Sequence, residues 1–187
     1  MSVEETESPD LWRRSVLYLL SWPDFDQAVR GIAERMTRNG FGFDCVLGIS
    51  RGGLVPAVSL SNVLGVPEFG IVSVRRNLGT GRYSEKGRPE VRWMSDPREM
   101  RDKRVLVVDD VAGAGDTLDA VRAELDTVGP TFVCTVVLVR MLRGGSTPDM
   151  AAVELDDWVV FPWEDRRIPA DAVTRDVPMP TGSGVRE

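Results

Sequence analysis

The chain contains no histidine. That one absence removes imidazole metal ligation, Ser-His-Asp catalysis and a histidine proton shuttle together. Cysteine is scarce too. Cys45 and Cys134 are the only two, each beside or within an apolar strand pattern, so they read as reduced core thiols of a cytoplasmic protein, not a disulfide framework or metal site. No apolar run approaches the length of a membrane span, and the acidic first ten residues are unlike a signal peptide. Positive charge is in the minority, 23 Lys and Arg against 29 Asp and Glu, a net −6. This argues against a binder of duplex nucleic acid or of an anionic membrane surface. No G-x-x-x-x-G-K-[ST] occurs, which excludes a Walker loop. There is no internal repeat and no low-complexity segment. What remains is 187 residues, 42% hydrophobic and 28% charged, the composition of one soluble globular domain with room for a buried core.

The most informative stretch is Arg104 to Leu118. Val105 to Val108 is a short β-branched run, the pattern of a strand buried on both faces inside a parallel sheet. The spacing predicts that it stops at two adjacent carboxylates, Asp109 and Asp110. A small-residue turn follows, Ala112-Gly113-Ala114-Gly115. Asp116-Thr117 then opens a helix with Leu118, Val121 and Leu125 on one face. Unpaired N–H groups and a helix N-terminus converge there, which suits a phosphate. The adjacent acids suit hydroxyls or Mg²⁺. Two rival readings are a solvated strand end capped by Asp116 or Thr117, and a dinucleotide turn beginning at Gly113-Ala-Gly115. The second lacks its third glycine, because Leu118 stands there, and lacks a ribose-binding acid after the next strand, which ends at Arg140.

Upstream, residues 1–14 read as a polar tail. Ser21-Trp-Pro-Asp24 is a helix start with a capping serine and an early proline. Phe25, Val29, Ile32, Ala33 and Met36 follow at helical spacing, and Gly40 is placed to end the helix. Cys45 to Ile49 is a second buried strand. It runs into Ser50-Arg51-Gly52-Gly53, where a hydroxyl, a cation and exposed N–H groups face an anion. Pro56 lies in the first turn of a helix through Leu60 to Leu64. Ile71 to Val74 is a third strand. Arg75 to Lys103 reads as a long irregular segment, basic and glycine-rich, either a functional lid or a solvated β-hairpin. Thr131 to Val139 and Ala151 to Leu155 are further strands, and 169–187 reads as a trailing arm. Apolar Trp12, Leu17, Leu19 and Leu20 are consistent with a homodimer face or with core packing.

Val107-Val-Asp-Asp-Val-Ala-Gly-Ala-Gly-Asp-Thr117 resembles the PRPP-binding motif of type I phosphoribosyltransferases. Ser50-Arg-Gly-Gly-Leu-Val-Pro56 is similar to the pyrophosphate loop of their xanthine–guanine and hypoxanthine members. The resemblance covers roughly residues 15 to 165. It implies an α/β, single-domain parallel-sheet fold of Rossmann-like type with a flexible lid loop and a small hood. The expected division is a core at 15–145, a hood at 146–168 and an arm at 169–187.

The resemblance also implies roles. Asp109 and Asp110 would hold the ribose diol and Mg²⁺, as the catalytic and metal-binding acids. Gly113, Ala114, Gly115, Asp116 and Thr117 would hold the 5′-phosphate, and Ser50, Arg51, Gly52 and Gly53 the pyrophosphate. Asp156-Asp-Trp-Val-Val-Phe-Pro-Trp-Glu-Asp165 is similar to the base-binding hood: Trp158 or Phe161 would stack on the base, backbone from Val159 to Phe161 would read its edge, and Glu164 or a water would replace the missing general base. Trp163 reads equally as a core aromatic. Arg140 falls where the family carries a lysine that contacts the purine 6-oxygen. Arg75, Arg76, Tyr83 and Lys86 would be lid contacts.

The chain departs from the pattern at three positions. Gly113 replaces the aspartate that handles the purine N7 proton, Arg140 replaces lysine, and Ala114 replaces a threonine. The implied activity is Mg²⁺-dependent transfer of ribosyl 5-phosphate from PRPP to a small-molecule acceptor, a 6-oxopurine first. A non-purine acceptor and a non-catalytic PRPP or nucleotide binder are the alternatives. No nucleic-acid or membrane partner is expected.

Overall fold

The computed structural model describes residues 16–76, 89–113, 116–142, 147–155, 157–164, 168 and 172–180. Its elements in order are β1 (Leu17–Leu19), α1 (Trp22–Arg38), β2 (Cys45–Ser50), α2 (Leu54–Leu64), β3 (Phe69–Arg76), β4 (Pro89–Met94), a 3₁₀ turn at Pro97–Met100, β5 (Arg104–Ala112), α3 (Asp116–Val128), β6 (Phe132–Met141), β7 (Met150–Leu155), β8 (Trp158–Val160) and β9 (Thr174–Asp176).

Six strands form one sheet in the order β4-β3-β2-β5-β6-β7, parallel except for the β3–β4 pair. The run Val105 to Val108 is fully buried, and alternation along it divides the core. Leu106 and Val108 pack with Val29, Ile32 and Met36 of α1 and with Ala57 and Leu60 of α2. Val105 and Val107 pack with Leu118, Val121 and Leu125 of α3. A central strand therefore needs apolar side chains at every position, which is why it reads as an unbroken run.

Helix α1 begins as its sequence dictates. The Ser21 side chain accepts the Asp24 N–H while Asp24 accepts the Ser21 N–H, a complete capping box with Pro23 in the first turn. At its other end Gly40 takes φ +70°, a conformation glycine adopts without steric cost.

Three sequence expectations need correction. Strand β5 does not stop at Asp109. Its pairing with β2 ends at Val108, but it stays in register with the longer β6 through Val111↔Val139 and Ala112↔Arg140. The segment 75–103 is not wholly irregular. β3 runs on to Arg76 and pairs antiparallel with β4, with a register shift at Ser73/Val74. β4 opens on proline and packs only Val91 and Met94 against the core, so it carries too little periodicity to be seen in sequence. Within the arm expected at 169–187, the described stretch 172–180 does not simply trail. Residues Thr174–Asp176 pair with β1 in a small parallel sheet, order β8-β1-β9, and the next residue, Val177, is buried. The three side chains of β9 are exposed, so only its backbone binds it to the sheet.

Of the apolar residues near the start of the chain, Leu17 and Leu20 are buried and Leu19 is half-buried, while Trp12 and the rest of the tail at 1–14 lie outside the described residues. β7, expected in the hood at 146–168, joins the six-stranded sheet beside β6, and β8 joins the small one.

Candidate active site

The C-terminal ends of β2 and β5 lie side by side, and two glycines decide how closely the following loops meet. A side-chain carbon at Gly53 would fall 2.6 Å from the Ile49 carbonyl oxygen, 2.7 Å from that of Val108 and 2.8 Å from Asp109 Cα. Only a residue without a side chain fits that wedge. A carbon at Gly52 would fall 1.7 Å from Asp110 Oδ2 and 2.5 Å from its Cγ. The Ser50–Gly53 loop therefore lies directly against the acid pair, although 55 residues of sequence lie between Gly53 and Asp109. The Ser50–Arg51 peptide is cis.

Helix α2 starts at this loop. Gly53 occupies its N-cap position without a side-chain cap, and its first turn carries no acid. The positive end of the helix dipole is thus left for an external anion. Arg51 is exposed beside it.

Asp109 Oδ1 accepts the Asp110 N–H at 3.0 Å, and Asp110 Oδ1 accepts the Val111 N–H at 2.8 Å. Burial pushes the Asp110 carboxyl up to about 6, with the charge of Glu164 acting in the same direction and the Val111 N–H opposing it. Glu164, distant in sequence, is thereby within electrostatic reach of the acid pair. It also accepts the Phe161 N–H at 3.3 Å.

Past the acids, Gly113 is surrounded by open space, with nothing within 4 Å of a side-chain carbon built there and no positive φ. Asp116 is exposed and Thr117 half-buried at the start of α3. Ala114 and Gly115 lie outside the described residues, as do the Arg76 side chain, Tyr83 and Lys86. Arg75 is exposed near the end of β3.

Arg140 stands in register between Ala112 and Glu154. Its Nη1 donates to Glu154 Oε1 at 2.8 Å, and its Nε is buried without a hydrogen-bond partner. Sequence reading missed Glu154. The only signal for it is the β6–β7 register, which needs the sheet order first.

The aromatic segment divides. Trp158 is half-buried on β8 and Val159 is buried. Phe161 is buried, its ring stacked on Trp163 at 4.8 Å and 12°. Trp163 meets Phe25 edge-on at 5.4 Å and Trp22 at 6.1 Å. Phe161 and Trp163 therefore pack against each other and, through Trp163, against α1. Two cavities, of about 350 Å³ beside Cys45 and Lys103 and about 500 Å³ between α1 and α2, include none of these residues in their walls.

Among the described residues no group of three or more His, Cys, Asp or Glu side chains forms a metal cage. The pair Asp109 and Asp110 suits an ion of another kind. Mg²⁺ is bound by one or two carboxylates with the remaining ligands from water and substrate phosphates.

A profile of the phosphoribosyl transferase domain matches residues 15–165. The chain is 28% identical over 168 residues to the xanthine-guanine phosphoribosyltransferase of Ruegeria sp. (strain TM1040), covering 85% of this chain and 92% of that one. It is 30% identical over 150 residues to the enzyme of the same name from Cereibacter sphaeroides, covering 78% and 85%. Among solved structures, the purine phosphoribosyltransferase from Pyrococcus horikoshii Ot3 superposes with a TM-score of 0.69 at 29% identity, over 81% of this chain and 96% of that one.

Proposed function

The chain belongs to the type I phosphoribosyltransferase family, and on that premise we propose that it transfers the 5-phosphoribosyl group of PRPP to a 6-oxopurine base with release of pyrophosphate. The observation that carries the assignment is the contact of Gly52 and Gly53 with the Asp109–Asp110 strand end. It sets the Ser50–Gly53 loop against the acids that open the second candidate anion loop, and a substrate with phosphate at one end and pyrophosphate at the other needs two such loops at adjacent strand ends. The purine acceptor is supported by the names of the relatives and by the Trp158 to Glu164 segment.

In this reading Ser50 to Gly53 and the open N-terminus of α2 hold pyrophosphate. Gly113 to Thr117 and the start of α3 hold the 5′-phosphate. Asp109 and Asp110 orient the ribose diol and hold Mg²⁺, which when bound neutralises the departing diphosphate. The C1–O bond to pyrophosphate breaks as the acceptor nitrogen attacks from the opposite face. Positive charge builds on the ribose in between, and the two carboxylates stabilise it. No covalent intermediate on the protein is needed, because positioning and charge supply the rate.

Trp158 stacks on the base, main chain from Val159 to Phe161 reads its edge, and Arg140 meets the 6-oxygen in place of lysine. Glu164 takes the proton that an aspartate at position 113 would otherwise handle. The segment around Arg75, Arg76, Tyr83 and Lys86 closes over the ribose and excludes water. Of the hood expected at 146–168, β7 belongs to the core sheet, so the hood in this reading is β8 and the residues that follow it, against β1. A salvage role fits a cytoplasmic protein; among the described residues no helix is long and apolar enough to cross a membrane.

Gly113 favours one second reading, transfer to a non-purine acceptor. The experiment is pyrophosphate release from PRPP and Mg²⁺ with guanine, xanthine, hypoxanthine and adenine in turn, on the wild type and on Gly113→Asp. Position 113 has room for the added carboxylate. The purine reading predicts release with at least one 6-oxopurine and, in Gly113→Asp, an increase of roughly a hundredfold or more, the lower end of what a placed general base contributes. PRPP binding without release by any purine, in either protein, would assign the acceptor to another class.

A further inference from the structure

We propose that Glu154 determines acceptor specificity through Arg140: by holding the guanidinium in an ion pair, it turns the site toward neutral 6-oxopurines and against acceptors that arrive as anions. The inference rests on the reading that Arg140 meets the acceptor oxygen. Arg140 stands near the end of β6, in register with Ala112 on one side and Glu154 on the other. Its Nη1 donates to Glu154 Oε1 at 2.8 Å, and the two side chains are 32% and 50% exposed. Among the described residues this carboxylate is the one hydrogen-bond partner of the guanidinium. The buried Nε has none, and no other buried side-chain nitrogen or oxygen among those residues is left so. A buried N–H without a partner costs stability, so the fold alone gives no reason to hold an arginine here.

The surroundings of Arg140 are acidic. Asp109 and Asp110 precede Ala112 on β5, and the charge of Glu164 is felt at Asp110. An arginine without a carboxylate beside it would offset part of that field and attract an anionic base. Paired with Glu154, Arg140 still offers N–H donors, but its charge is largely cancelled at the distance of a bound base. A carbonyl oxygen needs only the donors. An anion needs the charge as well, and in a site partly withdrawn from water its absence counts for more than in bulk solvent. Xanthine loses a proton close to neutral pH, whereas guanine and hypoxanthine stay neutral well above it. These bases therefore differ in the property that the Arg140–Glu154 pair discriminates.

The test is steady-state pyrophosphate release by the full chain at mildly alkaline pH, with PRPP and Mg²⁺, against guanine, hypoxanthine and xanthine. The wild type is expected to favour guanine and hypoxanthine over xanthine in kcat/KM. Glu154→Gln keeps the shape and removes the charge, and Glu154→Ala removes the carboxylate altogether. Both are expected to raise the xanthine-to-guanine ratio of kcat/KM by about fivefold, through a lower KM for xanthine and with the KM for PRPP unchanged. In an Arg140→Gln background, Glu154→Gln is expected to leave the ratio where Arg140→Gln alone sets it. The inference is overturned if both Glu154 variants, folded by their thermal transitions, keep the wild-type ratio. It is overturned equally if the wild type prefers xanthine, or if the shift persists without Arg140. Absence of turnover with every purine would overturn the purine reading and this inference with it, whereas turnover with an unchanged ratio overturns this inference alone.

Discussion

Gly52 and Asp110 are coupled at the level of single atoms, and that coupling has measurable consequences. A methyl group at Gly52 cannot coexist with the present position of Asp110 Oδ2, 1.7 Å away. Gly52→Ala is therefore expected to lower stability by about 1–3 kcal/mol, the usual cost of overpacking a filled site. In an Asp110→Ala background the same change is expected to cost almost nothing, because the clashing group is gone. Thermal or urea denaturation of the four proteins gives the coupling. Additive effects would contradict the contact.

Asp110 also carries a pH signature. Its folded value of about 6 lies above the ordinary 3.8, so between those values the folded chain binds more protons than the unfolded one. Stability then falls as pH rises through the window from about 4 to 6. Asp110→Asn is expected to be more stable than the wild type above pH about 6, by on the order of 2 kcal/mol. That advantage should vanish below pH about 4, measured by urea denaturation without metal or PRPP. Parallel curves across the whole range would show that Asp110 is not desolvated.

At the scale of elements, legibility follows from where the information resides. α1 was readable end to end because its signals are local: Ser21 and Asp24 cap it, Pro23 starts it and Gly40 ends it. Ser21→Ala is expected to cost about 1 kcal/mol in urea denaturation. A loss below the error of that measurement would mean the capping box contributes nothing to α1. β2 and β5 were equally readable because central strands carry apolar residues on both faces. β4 and β9 were not. β4 is a proline-led edge strand with two core contacts, and β9 is three exposed polar residues held by backbone bonds to β1. Such strands exist because a neighbour offers a free edge, and that edge is visible only once the sheet is assembled. The run of β5 past its acids has the same origin, since β6 is long enough to keep pairing with it.

For the molecule as a whole, the fold sets the ends of β2 and β5 side by side in one sheet, and the stretch after each reads in the sequence as a candidate anion site. Their contact through Gly52 and Gly53 was not legible, because no spacing in the sequence states that β2 and β5 are neighbours. The acceptor side was half legible. Trp158 to Glu164 stood out, but the arrangement within it did not: Trp163 stacks on Phe161 and meets Phe25 edge-on, and the charge of Glu164 is felt at Asp110.

The central claim is that this strand end binds PRPP, and calorimetric titration of PRPP with Mg²⁺ into the wild-type chain tests it most directly. Saturable binding at one site per chain, abolished or weakened at least about tenfold in Gly52→Ala, is the predicted result. No heat of binding at any PRPP concentration, from a chain that unfolds cooperatively and is therefore intact, would contradict it.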